Sequence, residues 1–302
     1  METLARRITS WQLRTRALEL GTRTLVMGVV NVTPDSFSDG GAFADADAAV
    51  AHALRLLEEG ADLIDLGGES TRPGSQAGRE NAAVSTDEEQ ARIIPVLQGI
   101  LKVSPRAVLS VDTYKAPTAR AAVAAGAEII NDVSGLAWDP GMAAACAETK
   151  AGVALMHTRG RPEEWRTQQQ LAPAAVLAMV RDGLAASVSL AQHAGIRPEA
   201  VVVDPGYGFG KRFGENFSLL RRQPELLALG YPLLAGISRK SFLGHTLAPL
   251  YGGAAAPVDA RENASLSAMV AAILHGASIV RVHAVRSAVE AARIADAVLA
   301  AG

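Results

Sequence analysis

Eight short apolar runs recur along this chain, and each run ends in polar or charged residues. The gaps between consecutive runs are long enough to hold a helix. The polar ends, in chain order, are Asn31, residues 69–72, Asp112, Asn131, His157, Asp204, residues 238–240, and Arg281 with His283. Strands that carry polar groups only at their C-terminal ends are typical of a (β/α)8 barrel, or TIM barrel, whose site lies on one rim. The pattern therefore predicts an α/β fold together with a set of candidate site residues.

The domain organisation follows from the same pattern. A chain of 302 residues suits one barrel of about 250 residues with additions. Residues 24–300 are predicted to form the barrel, and residues 1–23, which alternate like a hairpin around Gly21, to plug its N-terminal mouth. No linker divides the sequence, so residues 1–302 are predicted to form one domain. Helical periodicity is evident over 87–102, 173–194 and 215–229, whereas 74–86, 158–171 and 244–260 are predicted to be mobile rim loops.

Composition excludes several classes of function. A net charge of −2 gives no broad basic surface for nucleic acid or an anionic membrane. Cys146 is the only cysteine, so neither an intramolecular disulfide nor a cysteine-based metal site is expected. No apolar run reaches about 18 residues, and the first ten residues do not resemble a secretory signal. These features predict a cytoplasmic enzyme with no nucleic-acid or membrane partner.

Polar groups at the ends of four strands suit an anion or a metal bound with it. Asn31 opens the first loop, and its side-chain carbonyl suits Mg²⁺, which takes few protein ligands and keeps phosphate oxygens in its shell. Alternatively, the Asn31 side chain binds the backbone of the loop. Four cationic groups at three strand ends favour an anion such as phosphate over solvated surface charge; they are Arg72, Lys240, Arg281 and His283. Asp39 is either close to a developing positive charge or an ordinary surface turn residue.

A second group contains acids and an amide. Asp112, Asn131 and Asp204 end three strands and are predicted to enter the barrel mouth, where carboxylates are costly unless a ligand or Lys240 satisfies them. Together they suit the donor and acceptor edge of an aminopyrimidine-type heterocycle, although structural ion pairing is the alternative. Phe209, in a loop whose glycine spacing matches no dinucleotide fingerprint, is predicted to cover a flat ligand or to pack in the core.

One of the strand-end residues has no partner for catalysis in the sequence. His157 lies near no evident nucleophile, so it is predicted to be a rim residue and not a catalytic base.

Seven motifs together resemble the dihydropteroate synthase family. They occur in the family's order, between about residues 24 and 300. The two longest, Val30-Asn-Val-Thr-Pro-Asp-Ser-Phe-Ser-Asp-Gly-Gly41 and Gly67-Gly-Glu-Ser-Thr-Arg-Pro-Gly74, are highly specific. The others are Ser110-Val-Asp-Thr113, Ile130-Asn-Asp-Val-Ser-Gly135, Asp204-Pro-Gly-Tyr-Gly-Phe-Gly-Lys211, Ser238-Arg-Lys-Ser241 and Arg281-Val-His283. The resemblance implies condensation of 6-hydroxymethyl-7,8-dihydropterin diphosphate with p-aminobenzoate to give 7,8-dihydropteroate and diphosphate.

The resemblance also implies a role for each matching residue. The pterin would contact Asp112, Asn131, Met156, Asp204, Phe209, Gly236, Lys240 and Arg281. The diphosphate would contact Asn31, Arg72, Arg281 and His283, with Mg²⁺ on Asn31, and p-aminobenzoate would contact Phe37, Thr71, Pro73 and Ser241. The family mechanism expels diphosphate first and leaves a pterin-methyl cation, which Asp39 would stabilise before the aniline nitrogen attacks. Arg72, Lys240, Arg281 and His283 would assist as catalytic groups. Sulfonamide inhibition and a homodimer through the late helices are further implications.

Two positions depart from the family pattern, and two other functions remain open. Ala284 replaces an Asp that usually follows the Arg-Val-His motif, which would loosen His283 if that Asp normally supports it; the strand-five ending Met156-His-Thr158 is also a variant. A methyltetrahydrofolate corrinoid methyltransferase would share the Asp112, Asn131 and Asp204 group without needing the diphosphate residues. A catalytically weak pterin-binding paralogue is the other alternative, with Ala284 as its only indication.

Overall fold

The architecture is the predicted barrel. The computed structural model describes residues 8–33, 41–71, 74–79 and 83–301. A hairpin is formed by β1 (Thr9–Gln12) and β2 (Ala17–Leu20), and the barrel strands are β3 (Leu25–Asn31), β4 (Leu63–Gly67), β5 (Leu109–Asp112), β6 (Ile129–Asp132), β7 (Gly152–Met156), β8 (Val201–Asp204), β9 (Leu233–Ala235) and β10 (Ala277–Val282). These eight strands pair in parallel and in sequence order, and β10 closes the barrel between β9 and β3.

Helices follow the strands and cover the outside of the barrel. They are α1 (Gly41–Glu58), α2 (Thr86–Val103), α3 (Ala116–Ala124), α4 (Met142–Thr149), α5 (Pro173–His193), α6 (Phe213–Arg222), α7 (Ser241–Thr246), α8 (Glu262–Leu274) and α9 (Val285–Ala300). The main core lies between this layer and the strands, and it is rich in Ala, Val, Leu and Ile. Strands buried on both faces explain why their sequences are almost continuously apolar.

The N-terminal hairpin covers the bottom of the barrel. Trp11 and Leu13 are buried against inward-facing residues such as Leu25 and Leu63, at the N-terminal ends of β3 and β4. The indole Nε1 of Trp11 donates a 2.9 Å hydrogen bond to the carbonyl oxygen of Ala200. With its lower mouth filled, the barrel is open to ligands at the opposite, C-terminal mouth.

Two sequence predictions about local structure were wrong. Residues 244–260 are not simply a loop, because α7 and the 3-10 turns Ala248–Tyr251 and Val258–Arg261 occupy much of the segment. The helix expected over 215–229 changes at Gln223 into a 3-10 helix, Gln223–Leu229, since Pro224 lacks the amide that would continue the α-helix.

The helix α5 is long and apolar enough to meet a length-and-composition test for a membrane span. The core helix of a barrel can have the same length and composition. One face of α5 packs on the barrel through Val176, Val180 and Leu184, which are buried. Its apolar sequence is therefore explained by packing in the barrel.

Candidate active site at the C-terminal mouth of the barrel

Four strand ends meet in one row across the upper mouth. Asn31 pairs in register with Gly67, Gly67 with Asp112, and Asp112 with Asn131. A Cβ atom on Gly67 would lie 3.7 Å from Asp112 Cβ and 3.8 Å from Asn31 Oδ1. Glycine at this position therefore keeps open the space between the amide of Asn31 and the carboxylate of Asp112.

Arg281 crosses the mouth from β10 and binds two carboxylates. Its Nε donates to Asp65 Oδ2 at 2.6 Å, and its Nη2 donates to Asp112 Oδ2 at 2.9 Å. The same Asp65 oxygen accepts a 3.0 Å hydrogen bond from Asn131 Nδ2. The predicted cationic and acid/amide groups thus interlock instead of occupying separate sides, and Arg281, not Lys240, is the ion-pair partner of Asp112.

The electrostatics of this pair follow from burial and proximity. Burial alone would lower the pKa of Arg281, but Asp65 and Asp112 outweigh that effect and raise it, so the guanidinium stays charged. Burial raises the pKa of Asp112 to about 7, against the opposing effect of Arg281, and the negative charge of Asp65 adds to the rise. Asp112 therefore changes protonation close to neutral pH.

Asp204 brings a second carboxylate to the mouth from β8. Its Oδ1 accepts a 2.7 Å hydrogen bond from the Gly206 amide, which fixes the orientation of the carboxylate. Burial raises its pKa to about 6. A Cβ atom on Gly236 would lie 3.5 Å from Asp204 Oδ2 and 3.9 Å from Arg281 Cβ. Gly236 therefore borders the space between Asp204 and Arg281, as expected of a residue that lines a ligand slot.

Lys240 lies over the ring of Phe209. The distance from Nζ to the ring centroid is 3.8 Å, which is a cation–π contact. Phe209 is itself nearly buried and packs edge-on against Trp165, with ring centroids 5.0 Å apart. Burial, followed by the positive charge of Arg281, lowers the pKa of Lys240 to about 7. Phe209 packs in a small apolar cluster with Met156 and borders Lys240, and its role over a flat ligand stays a prediction.

His157 does not enter the group at the mouth. Its ring packs close to Gly183 of α5, and its buried Nδ1 has no hydrogen-bond partner among the residues that the structure describes. Burial and then Lys211 lower its pKa well below the usual value, so the ring is neutral. Lys211 Nζ donates to the carbonyl oxygens of His157 and Gly206, at 2.8 and 2.7 Å. These contacts fit the predicted supporting position at the rim.

His283 is held by Ser238 across the β9–β10 side of the mouth. The Ser238 hydroxyl oxygen accepts from the His283 amide at 3.3 Å and lies 3.0 Å from its Nδ1. Ala284 occupies the N-cap position of α9 and supplies no side-chain cap. Ser238 therefore supports the imidazole in a chain that lacks the Asp usual after the Arg-Val-His motif.

The predicted p-aminobenzoate residues are only partly described. Thr71 is half-buried, and Ser241 is exposed at the first position of α7. Phe37 and Pro73 lie outside the described residues, as do Asp39 and Arg72.

The loop after β4 is anchored through Glu69 by Tyr114 and Lys115, which the sequence did not single out. Glu69 Oε2 accepts from Tyr114 Oη at 2.8 Å and from Lys115 Nζ at 2.6 Å, while Glu69 Oε1 accepts from the Val84 amide at 3.1 Å. Tyr114 Oη in turn accepts from the Gly78 amide at 2.8 Å. The same network extends to Glu89, which lies 3.3 Å from Lys115 Nζ. Residues that follow β5 thus anchor Glu69 and Gly78, which lie on either side of Thr71 in the sequence.

Asp65 is the other residue that sequence reasoning missed. It lies in the middle of β4 and is fully buried, within a run interpreted as apolar. A carboxylate in such a run was itself a signal, because a buried charge requires a partner.

A dedicated metal cage is absent from the part of the chain that the structure describes, where no three metal-ligating acids, histidines or cysteines come together. Asn31 Oδ1 nevertheless borders the mouth beside Asp112, and no hydrogen bond joins its side chain to another described residue. An amide oxygen of this kind suits a hard cation that takes most of its ligands from water and phosphate.

Comparisons with known proteins agree with the geometry. A family model described as pterin binding enzyme matches residues 27–283. The dihydropteroate synthase of Mycobacterium leprae is 46% identical over 92% of this chain and 94% of its own length; that of Escherichia coli is 43% identical over 91% and 92%. The structure of the Xanthomonas albilineans dihydropteroate synthase with 4-aminobenzoic acid is 42% identical, with a TM-score of 0.84, and the match covers 97% of this chain and 99% of that one. The Yersinia pestis synthase in complex with a sulfonamide drug is 38% identical, with a TM-score of 0.84 over 97% and 100%.

Proposed function

The chain belongs to the pterin binding enzyme family and is an enzyme with dihydropteroate synthase activity, and we propose that the residues at its barrel mouth carry that reaction. The substrates are 6-hydroxymethyl-7,8-dihydropterin diphosphate and p-aminobenzoate, and the products are 7,8-dihydropteroate and diphosphate. The observation that carries the residue assignment is the set of orientated oxygens on Asp112, Asn131 and Asp204 facing the cations Lys240 and Arg281.

The pterin edge is matched group by group. Asn131 donates its Nδ2 to Asp65, so its Oδ1 is available as an acceptor. Asp204 accepts from Gly206 through Oδ1, which leaves its Oδ2, beside Gly236, for the ligand. Asp112 contacts Arg281 through Oδ2, which leaves its Oδ1 for the ligand. Three acceptors suit the amino and N–H donors of a pterin, and the Lys240 ammonium suits its ring acceptors. Phe209, Met156 and Gly236 would bound the flat faces of the ring.

The diphosphate would bind where Arg281 and His283 border the same slot. Arg281, which donates to both Asp65 and Asp112, stays charged, and Ser238 holds His283 in place. Positive groups at the leaving group stabilise the charge that develops as the C–O bond to diphosphate breaks. From the motifs we assign Arg72 to the stabilisation of the leaving diphosphate and Asp39 to that of the pterin-methyl cation. Both residues lie outside the described residues. The aniline nitrogen then attacks this cation and loses a proton.

Mg²⁺ fits this site as an ion shared with the substrate. Asn31 would hold it through Oδ1, and the ion would neutralise charge on the diphosphate. Replacement of Asn31 by Ala should raise the Mg²⁺ concentration that gives half-maximal activity, without weakening the binding of a pterin that lacks the diphosphate. An unchanged Mg²⁺ dependence would contradict the assignment.

The second substrate would bind above the pterin slot. Thr71 and Ser241 are the described residues assigned to p-aminobenzoate, and Phe37 and Pro73 are assigned from the motifs. Sulfonamides resemble p-aminobenzoate in shape and charge, so we expect them to inhibit in competition with it. A sulfonamide bound to the Yersinia pestis relative supports this expectation.

We further propose that residues 1–302 work as one pterin-binding domain in a cytoplasmic homodimer. Ile294 and Val298 lie four residues apart on α9 and are 69% and 56% exposed, so they lie on the same side of the helix. Leu250 and Val258, before α8, are also exposed apolar residues. Such a face favours a contact through the late helices. Sedimentation of the intact chain tests it, with Ile294→Glu expected to shift the dimer to monomer.

Two measurements test the proposed reaction. Diphosphate release should require the pterin diphosphate, p-aminobenzoate and Mg²⁺ together, and no measurable release under these conditions would contradict the activity. Arg281→Ala should then abolish most of the turnover. If Arg281→Ala keeps normal turnover, the site assignment is wrong even though the activity stands.

A further inference from the structure

We propose that Asp65 is a positioning residue that orients Arg281 and Asn131 for pterin binding without contacting the substrate. The inference rests on the proposed pterin site, because it concerns how two of its residues are held. It assigns a role to a carboxylate that lies below the strand ends, in the interior of the barrel.

The geometry that supports this role is a shared acceptor. A single oxygen, Asp65 Oδ2, accepts from Arg281 Nε at 2.6 Å and from Asn131 Nδ2 at 3.0 Å. Arg281 comes from β10 and Asn131 from β6, whereas Asp65 lies on β4. One buried atom therefore connects side chains from three different strands of the barrel.

Each of the two hydrogen bonds fixes the orientation of a side chain that is proposed to bind the pterin. Without an acceptor on Nδ2, the Asn131 amide has no fixed orientation and can present either its oxygen or its nitrogen to the pterin. Without an acceptor on Nε, Arg281 retains Asp112 as its carboxylate partner, and the planar group is free to turn about that contact. A guanidinium that must bind in a fixed plane loses affinity when it is free to turn.

Asp65 itself is screened from the substrate. Its side chain is fully buried, whereas Arg281 and Asp112 are 19% and 13% exposed. Its Oδ1 has no hydrogen-bond partner among the described residues, and neither has the Oγ of Ser110, which pairs with Asp65 in register across β4 and β5. Ser110 thus shares the barrel interior with Asp65 but holds neither pterin residue, which makes it a matched control.

The test compares Asp65→Asn with Ser110→Ala in the full chain. Binding of the pterin diphosphate is measured by calorimetry, and KM for p-aminobenzoate is measured at saturating pterin. Residues that orient metal ligands contribute about 10- to 100-fold to affinity or activity, and we expect Asp65→Asn to weaken pterin binding by a similar factor. The KM for p-aminobenzoate should stay unchanged, and Ser110→Ala should bind the pterin normally. Normal pterin binding by a folded Asp65→Asn variant would overturn the proposal.

A double variant separates positioning from general damage. In the Arg281→Met background, the added Asp65→Asn substitution should weaken pterin binding much less than it does in the unaltered chain. The double variant also guards against unfolding of Asp65→Asn, because a buried ion pair can often be replaced by neutral groups of similar size. If Asp65→Asn weakens pterin binding as strongly in the Arg281→Met background as in the unaltered chain, its effect does not act through Arg281, and the proposal that Asp65 orients Arg281 is overturned. If Arg281→Met alone binds the pterin normally, the proposed pterin site fails instead.

Discussion

Tyr114 Oη accepts a 2.8 Å hydrogen bond from the amide of Gly78 and donates one of the same length to Glu69. One phenol thus connects the beginning of the β4–α2 loop to its middle. Thr71 lies between these two anchor points in the sequence. Tyr114, which follows β5, therefore anchors the loop that we assign to p-aminobenzoate.

Removing the Tyr114 hydroxyl should weaken p-aminobenzoate binding. Tyr114→Phe leaves the ring packed edge-on against Trp138 but removes both hydrogen bonds, each worth about 1 kcal/mol. If the loop must be ordered to bind p-aminobenzoate, a smaller ordered fraction raises the KM for p-aminobenzoate, by roughly fivefold or more. Steady-state kinetics with p-aminobenzoate varied at saturating pterin measures this change.

Tyr231→Phe is the control for Tyr114→Phe. Its hydroxyl accepts a 3.0 Å hydrogen bond from Gln192 on an exposed surface, away from the loop. We expect no change in either KM from this control. Equal effects of the two substitutions, or a change in pterin KM alone, would contradict the role of Tyr114 in the loop.

The slot beside Gly236 gives a prediction about shape. A Cβ atom there would meet Asp204 Oδ2 and Arg281 Cβ at 3.5 and 3.9 Å, which are ordinary contact distances, so Gly236→Ala should fold. The added methyl group would project into the proposed pterin slot. Overpacking costs about 1–3 kcal/mol, so pterin KM should rise by about tenfold or more at an unchanged Tm.

A second glycine provides the comparison. Gly214 lies on α6, and a Cβ atom there would have no heavy atom within 4 Å. Gly214→Ala should therefore leave the pterin KM unchanged. Normal pterin KM in Gly236→Ala would show that the pterin lies elsewhere in the mouth.

The convergence of the strand ends could be predicted from sequence, whereas the partner of the interior carboxylate could not. Asp112, Asn131 and Asp204 follow apolar runs, and the C-terminal ends of parallel barrel strands meet at one rim, so their convergence follows from the fold. Asp65 lies within a run, and its partner Arg281 is 216 residues away in sequence. No local pattern specifies which of several distant cations a buried acid will bind.

Loop structure was the other limit of the sequence. Glycine, proline and polar residues over 244–260 predicted a loop, yet α7 begins immediately after Lys240 because the apolar side chains of Phe242 and Leu243 are buried in the core. Tertiary burial of these side chains outweighs the weak local preference. Similarly, the role of Tyr114 depends on a contact with Gly78 across two loops, which periodicity does not reveal.

The pH dependence of pterin capture should be bell-shaped with its maximum near pH 7. Burial raises the pKa of Asp112 to about 7 and that of Asp204 to about 6, so lowering the pH protonates the acceptors and reduces kcat/KM. Burial lowers the pKa of Lys240 to about 7, so raising the pH removes a donor and also reduces kcat/KM. For one required group, each limb approaches roughly a tenfold loss per pH unit.

Two substitutions assign the limbs. In Asp112→Asn, the acid limb should move to lower pH, towards the pKa of Asp204. In Lys240→Arg, the alkaline limb should move to higher pH, because a guanidinium remains protonated throughout the range. Profiles of kcat/KM for the pterin diphosphate check both shifts. A flat profile between pH 5 and 9 in the unaltered chain would contradict these roles.

The N-cap residue of α9, which supplies no side-chain cap, predicts a stabilising substitution. Ala284 at the N-cap provides no side-chain acceptor, and the first intrahelical bond there is from the Ala288 amide to the Ala284 carbonyl oxygen, at 3.2 Å. Ala284→Asp would place a carboxylate near the Ser287 amide and the positive end of the helix dipole. A cap of this kind is worth about 0.5–2 kcal/mol, so Tm should rise by about 2 °C or more. Ala284→Asn, which supplies the hydrogen bond without the charge, should raise Tm to a similar extent. Because Ser238 already contacts the His283 imidazole, the asparagine variant should leave the KM for pterin diphosphate unchanged. A fall in that KM would instead show that His283 is poorly orientated in the unaltered chain.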